Sequence, residues 1–315
     1  MIRRQSRPKA PASTAPGVAA GLLPDAPGLA LRELALHELA AARDQLARSG
    51  DARHEGVHQA RKALRRSRAA LALGRKRLGN RGKRVDADLA RLCRGLSPLR
   101  DAQALVETME RLLSNAPEPL QSELPELIRQ ARNRRDQRLA TVLNRDPGLE
   151  RRRARIEALA GRLAKLDWAR IDEHSVAAAV SHSERRLAKA RERIALYPGE
   201  DARWHTLRRR LRRLHQQHNL LRRIAPVWQV DAHATSDEAS RLGEAQDDAL
   251  LLRHCRRNSP FAPGSRARLR ALASERLGRI RGADTSGNPT LTTGRRGRPS
   301  CTSPYAETTP IRTPS

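Results

Sequence analysis

Aromatic residues are nearly missing from this chain: one Phe, two Tyr and three Trp in 315 residues. β-Branched residues are scarce as well, which leaves little to build a sheet with, whereas Ala, Leu, Arg and Glu abound. That balance predicts an all-α protein. Cysteine is rare. Cys93, Cys255 and Cys301 lie far apart with no C-x-x-C spacing, so neither a zinc site nor a disulfide framework is expected, and a reducing compartment fits. No run of eighteen apolar residues occurs, and the N-terminus lacks an apolar stretch of signal-peptide length. The expectation is a soluble cytoplasmic protein with no membrane insertion.

Acid is also in short supply. There are 34 Asp and Glu against 63 Lys and Arg, a formal net charge of +29. Residues 1–28 carry net +3 and residues 282–315 carry net +2, which leaves +24 in the stretch between them. Such self-repulsion opposes a compact state unless a polyanion neutralises it, which points to a strongly acidic partner. Only six of the basic residues are lysine. Arginine presents a planar fork of donors that matches phosphate oxygens in pairs, which an ammonium does not.

Residues 1–28 are rich in Pro, Ala, Ser and Gly without periodicity, and residues 282–315 are rich in Gly, Thr, Pro and Ser. Both ends are expected to be disordered tails. Between them apolar residues recur at helical spacing in segments near 29–49, 53–79, 84–95, 98–114 and 122–144, then near 150–166, 172–197, 201–225, 234–257 and 264–281. Gly50, Gly79, Pro117, Pro147, Pro198, Pro226 and Pro260 punctuate them. Short connections predict antiparallel neighbours, with each half of the chain forming a helical bundle.

The chain also repeats itself. VHQARKALRRSRAAL begins at Val57 and WHTLRRRLRRLHQQHNLL begins at Trp204; arginines stand at +3, +7 and +8 from His58 and again from His205, 147 residues later. A second pair, LSPLRDAQAL from Leu96 and LGEAQDDALL from Leu242, lies at an offset of 146. Two matches at nearly one offset define two repeats, about 29–149 and 150–281.

On a helix, His58, Arg61, Arg65 and Arg68 fall within a strip roughly 80° wide. Ala60, Leu64 and Leu71 occupy another face, free to pack. In the second copy the strip is His205, Arg208, Arg212 and His215, widened by Arg209 and Arg213 as Lys62 and Arg66 widen the first. A solvated basic face is ordinarily balanced by acids at i+4. Here no acid occurs between Glu55 and Asp86, a span of thirty residues. The strips therefore read as anion-binding surfaces that can meet across a pseudo-twofold axis in one basic channel. His54 with His58, and His215 with His218, have spacings that suit a metal, but no carboxylate or thiolate completes a set, and no metal or other cofactor is expected.

These four motifs resemble the CHAD family, the conserved histidine α-helical domain, over residues 29–281. The resemblance implies two four-helix bundles related by an internal twofold, with a central basic groove that binds inorganic polyphosphate. Matched position by position, it implies phosphate ligands at His58, Arg61, Arg65, Arg66 and Arg68 in the first half and at His205, Arg208, Arg212 and Arg213 in the second. His215 and Gln216 stand where the family has Arg or Lys followed by Tyr, so that end of the groove is expected to bind more weakly or to depend on pH. Asp101 and Asp247 match family positions and are read as orienting arginines or capping helices. Association with polyphosphate granules follows from the same resemblance.

Two other readings compete. A +24 surface suits any phosphate backbone, so non-sequence-specific nucleic-acid binding is the alternative, although few aromatics are available to stack on bases. GRRGRP at Gly294–Pro299 is a short AT-hook-like match. A phosphohydrolase using Asp101, Asp247 and Asp248 around a metal is the third. The basic helices offer no acids to hold Mg²⁺ beside a phosphate, and no ExExK strand occurs, so a binding protein rather than an enzyme is expected.

Overall fold

The computed structural model describes residues 23–225, 232–256 and 259–286. Ten α-helices and no strands occur among the described residues. In chain order they are α1 (Pro27–Leu46), α2 (Ala52–Leu73), α3 (Arg75–Gly95), α4 (Ser97–Leu112), α5 (Leu120–Arg145), α6 (Glu150–Ala164), α7 (Glu173–Leu196), α8 (Asp201–Ile224), α9 (Ala232–His254) and α10 (Pro263–Ser286). Each corresponds to one of the ten segments with helical spacing. Most of both expected tails, GRRGRP and Cys301 included, lies outside the described residues.

One boundary differs from the sequence expectation. α2 stops at Leu73, short of Gly79; its C-cap is Gly74, which packs so closely on Ile171 that a Cβ there would overlap the isoleucine side chain. Gly79 instead kinks α3, with φ 56° and ψ −146°, a backbone state open to glycine. α7 starts as its sequence suggests: the Asp172 carboxylate accepts from the Ser175 N–H at 2.7 Å, and the Ser175 hydroxyl accepts from the Asp172 N–H at 3.2 Å. Two donors at the helix start are satisfied reciprocally.

Burial follows the apolar stripes. Leu31, Ala35, Leu39, Ala42 and Leu46 line the inner face of α1, while Ala60, Leu64 and Leu71 do the same for α2. Gly56 brings α2 against the end of α1, since a Cβ there would collide with the Gln45 carbonyl oxygen. The helices sort into two apolar cores, and these do not follow the two halves of the chain. One core joins α1, α2 and α3 to α6, α7 and α8. The other joins α4 and α5 to α9 and α10, a four-helix bundle that takes two helices from each repeat. The expectation that each half closes on its own bundle is corrected accordingly: the partners α2 and α8 pack together, as do α4 and α9. A repeat unit that buries one face against its own half and another against its copy cannot be divided into two independent domains.

Trp204 is 5% exposed, and its indole N–H donates to the Pro198 carbonyl at 2.7 Å, so it is a core residue. His218 is 2% exposed on α8, with no hydrogen-bond partner at either ring nitrogen. Burial, reinforced by His215 and Arg222, pushes its pKa down to about 4. The unfolded chain protonates this residue below about 6.5, whereas the folded chain resists until about 4. Folding stability is therefore lost as pH falls from 6.5 towards 4. His218→Leu is expected to flatten that loss, measured as urea midpoints from pH 7.5 to 4.5. Gly56→Ala should destabilise the fold by about 1–3 kcal/mol through overpacking. Gly161→Ala on α6, where a Cβ meets nothing within 4 Å, should stabilise it by about 0.5–1 kcal/mol.

A basic groove between the repeated helices

Because α2 packs against α8, their polar faces meet along one seam. There they line a hollow of about 550 Å³. α2 contributes His58, Arg61, Lys62, Arg65 and Arg66; α8 contributes His205, Arg208, Arg209, Arg212 and His215. Ten of the twelve residues singled out from the sequence thus share a single cavity. The other two do not reach it. Arg68 turns to Asp86 on α3, with Nε–Oδ1 at 2.7 Å, and Arg213 lines a separate cavity on the far side of α8.

The second motif pair completes the walls. Arg100 and Asp101 from α4 face Gln246 and Asp247 from α9, at equivalent positions of the repeat, and Arg253 closes one end. In all, nine Arg and Lys side chains and two carboxylates line the groove. Ser97, Asp101, Leu250 and Arg253 also wall a second hollow of about 510 Å³ beside it. That hollow is lined by Arg134, Arg135 and Arg138 of α5, together with Arg94 and Arg256. Sequence reasoning passed over Arg100, although it sits inside LSPLRDAQAL. It also passed over the α5 arginines, which belong to no repeated motif.

Some of the cations are fixed by carboxylates or carbonyls. Arg61 donates to the Ser97 hydroxyl at 2.8 Å and to the Cys93 carbonyl. Arg66 lies 2.7 Å from the carboxylate of Glu38, a residue of α1 that is itself buried and also meets Arg223. Arg100 pairs with Glu107 at 2.7 Å. Others have no such support. Among the described residues, Arg65, Arg208 and Arg212 make no ion pair within 4 Å, and the Arg65 Nε is buried without a partner. Burial and the neighbouring guanidiniums push Arg65 down to about 9 and Arg212 to about 10. Both stay charged at neutral pH, so the fold carries the cost of burying these charges beside one another.

The histidines behave differently. Desolvation and adjacent cations hold His58, His205 and His215 below the usual imidazole range, so all three are neutral near pH 7. The His205 Nδ1 lies 3.0 Å from the Gln246 amide oxygen, and the His215 Nε2 lies 2.8 Å from the Asn219 amide nitrogen. His54, spaced to share a metal with His58, leans instead on Asp136 at 3.6 Å and does not line the groove.

Of the three acids considered for catalysis, Asp101 and Asp247 border the groove, and Arg111 holds Asp247 at 2.7 Å. Asp248 points away into the α9–α10 bundle, where it is 1% exposed and meets Arg276 at 3.2 Å. Among the described residues no helix is long and apolar enough to cross a membrane.

The fold and the groove can be set beside known proteins. No curated protein matches the chain. Among solved structures, the crystal structure of the CHAD domain from the plant Ricinus communis is similar in fold, with a TM-score of 0.51 and 18% identity. That match covers 89% of this chain and 93% of the other. The CHAD domain family model matches residues 30–256, which include both arginine-rich helices and the motif pair on α4 and α9. The chain belongs to the CHAD domain family.

Proposed function

We propose that the chain binds inorganic polyphosphate in the groove between α2 and α8 and is not an enzyme. The observation that carries this reading is the convergence of Arg65, Arg208 and Arg212, none with a carboxylate partner among the described residues, on one hollow. Cations crowded in this way gain when a flexible chain of phosphates enters, because each guanidinium can then donate two parallel hydrogen bonds to phosphate oxygens. Arg61 is already held in position by Ser97 and the Cys93 carbonyl, so little ordering entropy remains to be lost there. The run of cations along the groove and the hollow beside it suits a linear ligand longer than either cavity.

Nucleic acid is the weaker reading. No Phe, Tyr or Trp lines the groove, so its stacking surface is limited to imidazoles and guanidinium planes, a poorer platform for bases than the large aromatic rings of single-strand binders. A cavity of this volume is of small-ligand size, far too narrow for a duplex. The non-catalytic reading draws support from the acids, since Arg111 engages Asp247 and Arg276 engages Asp248.

Calorimetric titration at physiological salt should show long-chain polyphosphate binding more tightly than duplex DNA of equal charge, with affinity falling steeply as salt rises. Equal affinity for the two would overturn the reading. Arg61→Ala combined with Arg208→Ala should weaken polyphosphate binding at least tenfold with helicity unchanged by circular dichroism. A bound polyanion stabilises imidazolium and so raises the pKa values of His58, His205 and His215 above their depressed positions in the free protein. Binding then takes up protons, and affinity should rise as pH falls below about 6.5. Replacing His58 and His205 with Gln should flatten that rise.

A further inference from the structure

A second basic cavity, of about 520 Å³, lies on the opposite side of α8 from the groove. α3, α7 and Ala72 at the end of α2 form its other walls. Seven Arg and Lys side chains and His182 line it, and no carboxylate does. Arg186, Arg210 and Arg213 are half-buried within it, while Arg75, Lys76 and Arg185 are exposed at the rim. Of the carboxylates nearby, Asp86 meets Arg68 at 2.7 Å and Asp172 meets Arg77 at 2.6 Å, while Glu184 on α7 is exposed and does not line the cavity. Among the described residues, none of the cavity's arginines forms an ion pair within 4 Å.

This cavity differs from the groove in its floor. Ala72 and Ala179 are half-buried there and Ala178 stands exposed at the edge, so part of the wall is methyl groups rather than guanidiniums. Gly79 adds backbone at the point where α3 restarts after its kink, which brings the start of that helical segment to the cavity. Backbone N–H groups at a helix start favour an anion. A ring of unpaired cations around an apolar floor, in a volume of small-ligand size, calls for an anion with an apolar body. An inorganic phosphate chain would leave the alanine wall unused.

We infer that this cavity binds a nucleoside di- or triphosphate, its phosphates held by Arg186, Arg210 and Arg213 and its nucleoside laid on the alanine floor. The site is separate from the groove and does not depend on what the groove binds. Burial and the adjacent guanidiniums of Arg186 and Arg213 push Arg210 down to about 10, a repulsion that a bound phosphate would relieve. His182, held below the usual imidazole range by desolvation and by Arg186, Arg185, Arg75 and Arg210, is neutral at pH 7 and can face the base as an uncharged ring.

The test uses the full chain and calorimetry with ATP, UTP and inorganic tripolyphosphate. In the Arg61→Ala with Arg208→Ala variant, whose groove is weakened, ATP or UTP is expected to bind at one site per chain, at least tenfold more tightly than tripolyphosphate. Arg186→Ala with Arg210→Ala should weaken nucleotide binding at least tenfold and change long-chain polyphosphate affinity less than twofold. Arg61→Ala with Arg208→Ala should do the reverse. Two single variants at exposed positions, Arg185→Glu and Ala178→Glu, should each weaken nucleotide binding without a change in thermal midpoint. Failure of both nucleotides to bind, equal affinity for tripolyphosphate, or nucleotide binding lost in the groove variant instead would each overturn the assignment. None of those outcomes bears on whether the groove takes polyphosphate, which its own titration reads separately.

Discussion

Everything in this molecule depends on the close packing of two arginine-rich helices that repel one another. α2 and α8 must come together to seal the larger core, yet doing so drives Arg65 towards Arg212 and Arg208. The apolar stripes supply the attraction: Leu64 is fully buried on α2, as is Leu211 on α8. Carboxylates set behind the seam supply the rest. Buried Glu38 on α1 meets Arg66 from α2 and Arg223 from α8 at once, which ties both helices to a third. Asp86 takes Arg68 in the same way. Some of the groove's cations are thus paired from behind, as Arg66 is, while Arg65, Arg208 and Arg212 have no ion pair within 4 Å among the described residues. A polyanion that binds only the folded state would relieve the remaining repulsion and stabilise the fold by mass action.

Such a division of labour explains why arginine, rather than lysine, fills these positions. A guanidinium can lie half-buried against Ala and Leu while its fork of donors still reaches the cavity, and it keeps its charge under desolvation that would strip an ammonium. Arg65 shows this most plainly, because its Nε is enclosed without a partner and the group nonetheless remains protonated at neutral pH. The histidines at the mouths of the two strips respond in the opposite sense. Their imidazoles surrender the proton under the same pressure, so the groove's charge depends on pH through His58, His205 and His215 while its arginines stay constant.

Much of this was legible in the sequence. Helical periodicity located the ten helices of the described residues, and of the twelve residues picked out by the duplicated His-x-x-Arg pattern the seam brings ten together. What the pattern could not supply was which neighbour each residue would meet. Arg68 falls on the same 80° strip as Arg61, but α3 arrives beside it carrying Asp86, and a nearby carboxylate outweighs helical register. Arg213 stands at the same offset from His205 as Arg66 from His58, yet α7 and α3 wall it into another cavity. The division into two cores was hidden for a related reason. Pairing of α4 and α5 with α9 and α10 spans more than a hundred residues, and no local signal records it. The α5 arginines escaped notice because they carry no repeat and gain meaning only where α5 borders the hollow beside the groove.

α8 concentrates the whole problem in one element. Leu207, Leu211, Leu214 and Leu221 form its buried stripe, Arg208 and Arg212 face the groove, and Arg210 and Arg213 face the second cavity. At 100° per residue no two of these faces can be served by the same arginine, so the RRRLRR run is what three distinct surroundings on one helix require. The first repeat reads RKALRR at the equivalent positions, with buried Ala63 where α8 has Arg210. Two helices that began as copies therefore diverged in the number of surfaces they present. α2 faces the groove and the core and reaches the second cavity only through Ala72, whereas α8 faces the core and supplies arginines to both basic cavities.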